Sequence, residues 1–497
     1  MLDNDFLHPL SNITHVQSSL VVICSDGRNP PRVPPFAVGS LPQIPFVAKG
    51  ASFRLLPQGH HGFSTSPDGA APACHGHARD LVCARRTPAA GRTMGQLFQD
   101  ELYNDFGIWP LGYIPAGGAD YGEVQAVADT IGKGDDAAYF NSWTGAAERL
   151  FAEAETALAK GHRGSARDLY LRASVFYGAS YHPLYGAPVD SRLLSAFRKQ
   201  RDAFDRGLSL TAGVPQPFAI PFQQTALPAY FIPAEGHVND VRPLIIFTNG
   251  YDGTITDMYF ASAVAASRRG YHCLLFDGPG QGAMLYEQNV PLRPDWETVI
   301  TAVVDHALTL PLVDPARIVL NGWSLGGYLA PRGASGEHRL AALIADPGTW
   351  SIADGFRKVF VQKFGLSADA AKDLGKLDPA LIAKADAFIR SSRSLNWKVV
   401  QRGFWVHGVD NLRDYLASAE LFTMKGRAEL IRCPTLITQA EGDGLSADAG
   451  SFFDALRCPK TLMQFTAAEG ASGHCEMMNR SLLNRRALDW LDERLAT

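Results

Sequence analysis

The residues with the clearest chemical capacity lie in the stretch Gly322-Trp-Ser-Leu-Gly326. Ser324 stands between two glycines at G-x-S-x-G spacing. The apolar run Ile318–Leu320 precedes it and reads as a buried strand, and the residues after it can continue as a helix. A serine on such a sharp strand-to-helix turn is lifted clear of the sheet. The helix start turns its backbone N–H groups towards whatever the serine attacks. Among 497 residues with 47 glycines the pattern can arise by chance. Its placement and its partners therefore carry the reading.

A serine hydroxyl becomes nucleophilic only when a base takes its proton, and a third group must orient that base. His474 lies in the loop Thr466–His474, between the apolar run Thr461–Phe465 and a closing helical stretch, Ser481–Ala496. That is where a catalytic base is expected. Asp443 lies in the loop Gln439–Gly444, just beyond the run Thr435–Thr438, and is the favoured third member. Glu441 is its nearest competitor and Asp346 the next. A tetrahedral oxyanion needs two donors. One is expected from the backbone N–H of Leu325. The other is expected from the loop Thr248–Gly253, at the N–H of Tyr251 with Asp252 as the alternative.

These groups must gather at one edge of a sheet. Strand-like runs occur at Phe218–Phe222, Leu227–Ile232, Leu244–Thr248, Cys273–Phe276, Ile318–Leu320, Leu340–Ala345, Thr435–Thr438 and Thr461–Phe465. Helix-compatible stretches separate most of them. The alternation predicts an α/β fold, a mostly parallel sheet with helices on both faces. Residues 213–497 form this catalytic domain. Residues Trp350 to about Leu430 have helical stretches and no clear strand, and read as a lid inserted in it. Trp405 and His407, in Gly403–Val409, are the lid residues expected to contact substrate.

Ahead of the sheet, residues 94–212 read as a helical domain. Phe140, Trp143, Ala147, Leu150, Phe151, Ala154 and Leu158 share one helical face. Ala166, Leu169, Tyr170, Ala173, Phe176 and Tyr177 make a second stripe beyond Gly161 and Gly164. A third helix is expected over Ser191–Leu208. The first two predict an antiparallel hairpin, without the period of about 34 residues that a tetratricopeptide array needs. Residues 1–93 are rich in Pro, Gly, Ser and His and read as a disordered leader. Their His60, His61, Cys74, His75, His77 and Cys83 match no zinc-ligand spacing.

Hydrophobic residues at 46% and charged residues at 19% describe a globular chain. A net charge of −4 gives no reason to expect nucleic acid or an anionic membrane as partner. No apolar run approaches the ~18 residues of a membrane span. Seven cysteines are sparse and odd in number. Cys273, Cys433 and Cys458 are expected as buried free thiols in a reducing, cytoplasmic setting. The expected partner is a small-molecule substrate, and the chain is compatible with a homodimer.

Asn249-Gly-Tyr-Asp-Gly253, Phe276-Asp-Gly-Pro-Gly-Gln-Gly282 and Gly322-Trp-Ser-Leu-Gly-Gly327 resemble the α/β-hydrolases that carry a helical N-terminal domain. That group includes 2,6-dihydroxypseudooxynicotine hydrolase and fungal heptaketide-shortening hydrolases. The resemblance runs from about Met94 to the C-terminus. It implies an α/β-hydrolase fold with Ser324, Asp443 and His474 in the triad positions. It also implies hydrolysis of a carbon–carbon bond beside a ketone, with no cofactor and no metal. Related sequences include esterases and acyl-peptidase-like enzymes, so an ester is the competing scissile bond. The turn Gly278–Gly282 is expected to be structural, since it lacks the Lys-Ser/Thr of a phosphate loop.

Overall fold

The computed structural model describes residues 96–211, 213, 215 and 217–496. The leader reading of residues 1–93 and the His/Cys group within it lie outside the described residues.

Eight strands form one sheet: β1 (Pro217–Phe222), β2 (Thr225–Ile232), β3 (Arg242–Thr248), β4 (His272–Phe276), β5 (Val313–Trp323), β6 (Ala342–Asp346), β7 (Thr435–Ala440) and β8 (Lys460–Phe465). Their order is β1-β2-β4-β3-β5-β6-β7-β8. The pairs β1/β2 and β2/β4 are antiparallel, and every later pair is parallel.

Side chains alternate across a strand, so continuous apolar runs feed two cores. Leu244, Ile246, Ile318, Leu320 and Leu343 pack on one face with the helices Trp296–Ala307 and Gly326–Ala334. Ile245, Phe247, Val319, Ala342 and Ile344 pack on the other with residues of Ile255–Arg268 and the last helix, Arg480–Leu495. Each strand seen in the sequence is present. β5 is longer than expected, because Arg242 at the start of β3 pairs with Val313 ahead of a register shift.

Shorter helices such as Tyr121–Ile131 precede the three longest N-terminal helices, Asp136–Ala159, Arg163–Ser180 and Ser191–Ser209. Asp135 caps the first by accepting from the Ala138 N–H, and Asp190 caps the third by accepting from the Arg192 N–H. Gly161, with φ +80°, turns the chain between the first two. Trp143, Ala147 and Ala154 on the first helix and Tyr170, Ala173 and Phe176 on the second are buried. The two-stripe reading thus describes their packing.

The insertion between β6 and β7 holds the helices Ile352–Phe364, Pro379–Ser391 and Leu412–Glu420, and a wide-turned segment, Asn396–Phe404. Phe360, Leu374, Ile389, Phe404, Leu412 and Leu416 give it a core of its own. Its ends meet at a bridge between Ser351 and Thr423. It also packs on the N-terminal helical segments. The Trp397 Nε1–H donates to the His182 carbonyl at 2.8 Å, Lys398 pairs with Asp105 at 3.1 Å, and Arg393 pairs with Asp136.

Candidate active site

Ser324 sits where β5 turns into the helix Gly326–Ala334, with φ +62°. A non-glycine residue in that region stores ~1–3 kcal/mol of strain, which the surrounding structure must hold. The Ser324 N–H donates to the Asp346 carbonyl at 2.7 Å and helps to hold it. Gly322 is needed because a Cβ there would lie 1.9 Å from the Gly326 carbonyl oxygen. Strand and helix cross too closely for any side chain.

The Ser324 Oγ lies 2.9 Å from His474 Nε2. His474 Nδ1 lies 3.1 Å from both carboxylate oxygens of Asp443. Residues from three loops, 119 and 31 positions apart along the chain, therefore form one line of hydrogen bonds. Asp443 is buried and also accepts from the Leu445 N–H at 2.9 Å. Burial alone would depress the His474 pKa, but Asp443, with further help from Asp346 and Asp252, holds it above its ordinary value. An imidazole in such a field is stabilised as the imidazolium that forms when it takes a serine proton.

The two competing carboxylates are engaged elsewhere. Glu441 is exposed and accepts from the Ala467 N–H at 2.8 Å. Asp346 accepts from Thr438 at 3.0 Å and pairs with buried Arg480 at 2.7 Å. Arg480 also donates to the Cys475 carbonyl and to Ser262, each at 2.7 Å, so it anchors the loop that carries His474. Glu476 is fully buried against Asp346. Burial, first, and that neighbouring carboxylate push its pKa well above the usual range. Nothing in the spacing of Glu476 or Arg480 marked them. Asp346, which both of them meet, is more than 100 positions away.

The loop after β3 packs directly on Ser324. A Cβ at Gly250 would lie 2.6 Å from the Leu325 nitrogen and 2.9 Å from the Ser324 Oγ. Leu325 caps the helix Gly326–Ala334, and neither its N–H nor that of Tyr251 has an acceptor among the described residues. Gln281, in the turn read as structural, donates to the Asn249 carbonyl at 2.6 Å and to that of Gly250 at 3.3 Å. Asp252 accepts from Arg402 at 2.8 Å. Arg402 is a lid residue that the sequence left unremarked.

Trp405 is buried, stacked on Tyr286 at 5.4 Å with Tyr185 edge-on at 5.4 Å. His407 is buried with both ring nitrogens engaged, one with the Tyr251 hydroxyl at 2.7 Å and one with Ser418 at 2.8 Å. The sequence placed both residues against substrate, but His407 has no ring nitrogen left for one. A cavity of about 440 Å³ lies away from Ser324, between Phe197 and Phe204 and the β1/β2 hairpin. Among the described residues no cluster of three or more His, Cys, Asp or Glu side chains is placed to hold a metal, and no helix is long and apolar enough to cross a membrane. Cys273, Cys433, Cys458 and Cys475 are free thiols, Cys458 only partly buried.

The alpha/beta hydrolase family model matches residues 245–482. A hydrolase of Fusarium sp is 32% identical over 417 residues, covering 80% of this chain and 98% of its own length. The chain belongs to the alpha/beta hydrolase family. Another similar member is the 20-hydroxy-prefusarin hydrolase of Gibberella moniliformis, 31% identical over 81% of this chain and 99% of its own. The crystal structure of 2,6-dihydroxy-pseudo-oxynicotine hydrolase shares the fold, with TM-score 0.59 and 21% identity over 78% of this chain and 96% of that one. As a member of this family the protein is an enzyme, a hydrolase, and its helical N-terminal region accompanies the mostly parallel sheet as expected.

Proposed function

We propose that this alpha/beta hydrolase is a serine hydrolase that cleaves a carbon–carbon bond beside a ketone in a small aromatic or polyketide-like molecule, with an ester as the alternative scissile bond. The observation that carries the reading is the unbroken line from Ser324 through His474 to Asp443, at 2.9 and 3.1 Å. Ser324 attacks the ketone carbon as His474 takes its proton. The N–H groups of Tyr251 and Leu325 hold the oxyanion. Collapse of the tetrahedral intermediate sends the carbon–carbon electron pair to the leaving fragment, and His474 protonates that carbon. Water, deprotonated by His474, then releases the acyl group from Ser324. No cofactor enters these steps.

The preference for a carbon–carbon bond rests on enclosure. A carbanion-like leaving group needs a dry, shaped site. The aromatic assembly of Phe106, His182, Tyr185, Trp397 and Trp405 joins the N-terminal segment to the lid beside the oxyanion loop. It supports a substrate with flat rings. A relative named for hydrolysing 20-hydroxy-prefusarin supports a small-molecule substrate. Free thiols at four cysteines support a reducing, cytoplasmic setting.

Side-by-side turnover of β-diketones, acyl-phenols and short nitrophenyl esters tests the reading. Trp405→Ala is expected to damage carbon–carbon cleavage far more than ester cleavage. Brisk hydrolysis of short esters with none of β-diketones, and an equal effect of Trp405→Ala on both, would leave the esterase. Absence of labelling by a fluorophosphonate would remove the serine mechanism altogether.

A further inference from the structure

The oxyanion loop Asn249–Gly253 is held by side chains from three other parts of the chain. Gln281, beyond β4, ties down the Asn249 and Gly250 carbonyls. Tyr185, from the N-terminal helical segment, donates its hydroxyl to the Asp252 carbonyl at 3.0 Å. Further ties come from the lid. Arg402 pairs with the Asp252 carboxylate at 2.8 Å and lies 4.7 Å from the centre of the Tyr251 ring. His407 shares a hydrogen bond of 2.7 Å with the Tyr251 hydroxyl. The side chains of both loop residues that compete for the donor role are therefore held by the lid, through residues 402–407 and, at Tyr251, through Tyr415 as well. Across the same loop, Gly250 packs on Ser324 and Leu325.

We propose that Arg402 and His407 are positioning residues, a clamp through which the seated lid orients the oxyanion loop so that the Tyr251 N–H faces the carbonyl attacked by Ser324. This rests on the serine-hydrolase reading above and extends it. In this role His407 touches no substrate. It acts through the Tyr251 hydroxyl, and Ser418 on its other nitrogen holds its ring in place. Arg402 acts through Asp252, and its stacking on Tyr251 and Trp397 fixes its own geometry. A loop carbonyl or N–H displaced by ~1 Å costs about 10²-fold in rate even when no reacting group is lost. The lid thus contributes to the rate as well as to enclosure. A substrate that keeps the lid from seating would bind without being turned over.

The design separates binding from chemistry. Saturation labelling with an alkyl fluorophosphonate gives the half-saturating concentration and the limiting rate separately, because phosphonylation of Ser324 also builds charge on the oxygen facing the loop. His407→Leu, Arg402→Met and Tyr251→Phe are compared with wild type, and the thermal midpoint of each is recorded. The expected result is a limiting rate roughly 10- to 100-fold lower with the half-saturating concentration within twofold. His407→Gln, which keeps a donor and an acceptor, should recover most of the loss. Tyr251→Phe removes one oxygen atom and guards against misfolding of the other two. Wild-type limiting rates in Tyr251→Phe and His407→Leu would overturn the clamp. So would a loss confined to the half-saturating concentration, which would make these residues part of a binding surface. A wild-type enzyme that does not label at all would instead remove the serine-hydrolase reading, and the clamp with it.

Discussion

Gly250→Ala is the most demanding single change that the site geometry suggests. The added methyl would sit 2.6 Å from the Leu325 nitrogen, 2.8 Å from the Ser324 Cβ and 2.9 Å from the Ser324 Oγ. Ordinary contact begins near 3.4 Å, so the worst overlap is 3.4 − 2.6, or 0.8 Å. The atoms on the far side belong to the backbone of the helix start and to the nucleophile. They cannot rotate away as the tip of a long side chain would. Either the oxyanion loop lifts or Ser324 and Leu325 recede, and both open the space between donor and nucleophile. A shift approaching 1 Å costs about 10²-fold in rate, or ~2.7 kcal/mol of transition-state stabilisation. Overpacking itself costs ~1–3 kcal/mol of stability, which a folded unit of about 400 residues with two large cores can absorb. The assay is the limiting rate of fluorophosphonate labelling, or of turnover once a substrate is in hand, with the thermal midpoint measured in parallel. Gly122→Ala serves as control, because a Cβ there meets nothing within 4 Å. A Gly250→Ala protein that works within threefold of wild type would show that the loop does not need its close approach to Ser324.

Three further outcomes are expected. Ser324→Ala and His474→Ala should each lower turnover by about 10³-fold or more with the thermal midpoint preserved, because the members of such a set act as a unit. The acid limb of the rate profile should lie above pH 6.5, since His474 must be neutral to act as base and its neighbours hold its pKa above that value. The same protonation favours the folded state below pH 6.5 and that contribution fades as pH rises through the folded pKa. Asp443→Asn should move the limb downward, leaving burial to dominate, and a limb at or below 6.5 in the wild type would contradict the assignment. Arg480→Met should cost about 3–5 kcal/mol in denaturant titration, because it leaves Asp346 buried and unpaired. Adding Asp346→Leu should restore part of that loss, and a double variant no more stable than the single one would show that the pair's charge is not the cause.

The sequence by itself determined what depends on neighbours along the chain. A run such as Leu244–Thr248 reads as a strand buried on both faces, because its first four side chains are all apolar. Gly322 and Gly326 around Ser324 had to make a sharp strand-to-helix turn. His474 and Asp443 were read as partners of Ser324 because each lies in a loop just past a strand, and parallel strands bring such loops to one edge. Two of the N-terminal helices were legible in their apolar stripes and a third was expected over Ser191–Leu208, and the α/β class was legible in the alternation of elements.

Only the tertiary structure decided which distant groups meet. Asp443 lies just past a strand and Asp346 at the end of one, and local pattern ranked them without settling their partners. Folding placed Asp346 against Arg480 and Asp443 against His474. Arg402 and Asp252 are 150 positions apart, and Tyr251 and His407 are 156 apart. Their pairing depends on how a helical insertion with its own core folds back over the sheet. The sequence placed His407 in the lid and read it as a substrate contact, since a histidine in an apolar stretch carries no mark of its partner. A hydrogen bond needs its two groups within about 3 Å and well aligned. Spacing along the chain fixes such geometry within a helix or a turn, and packing fixes it everywhere else.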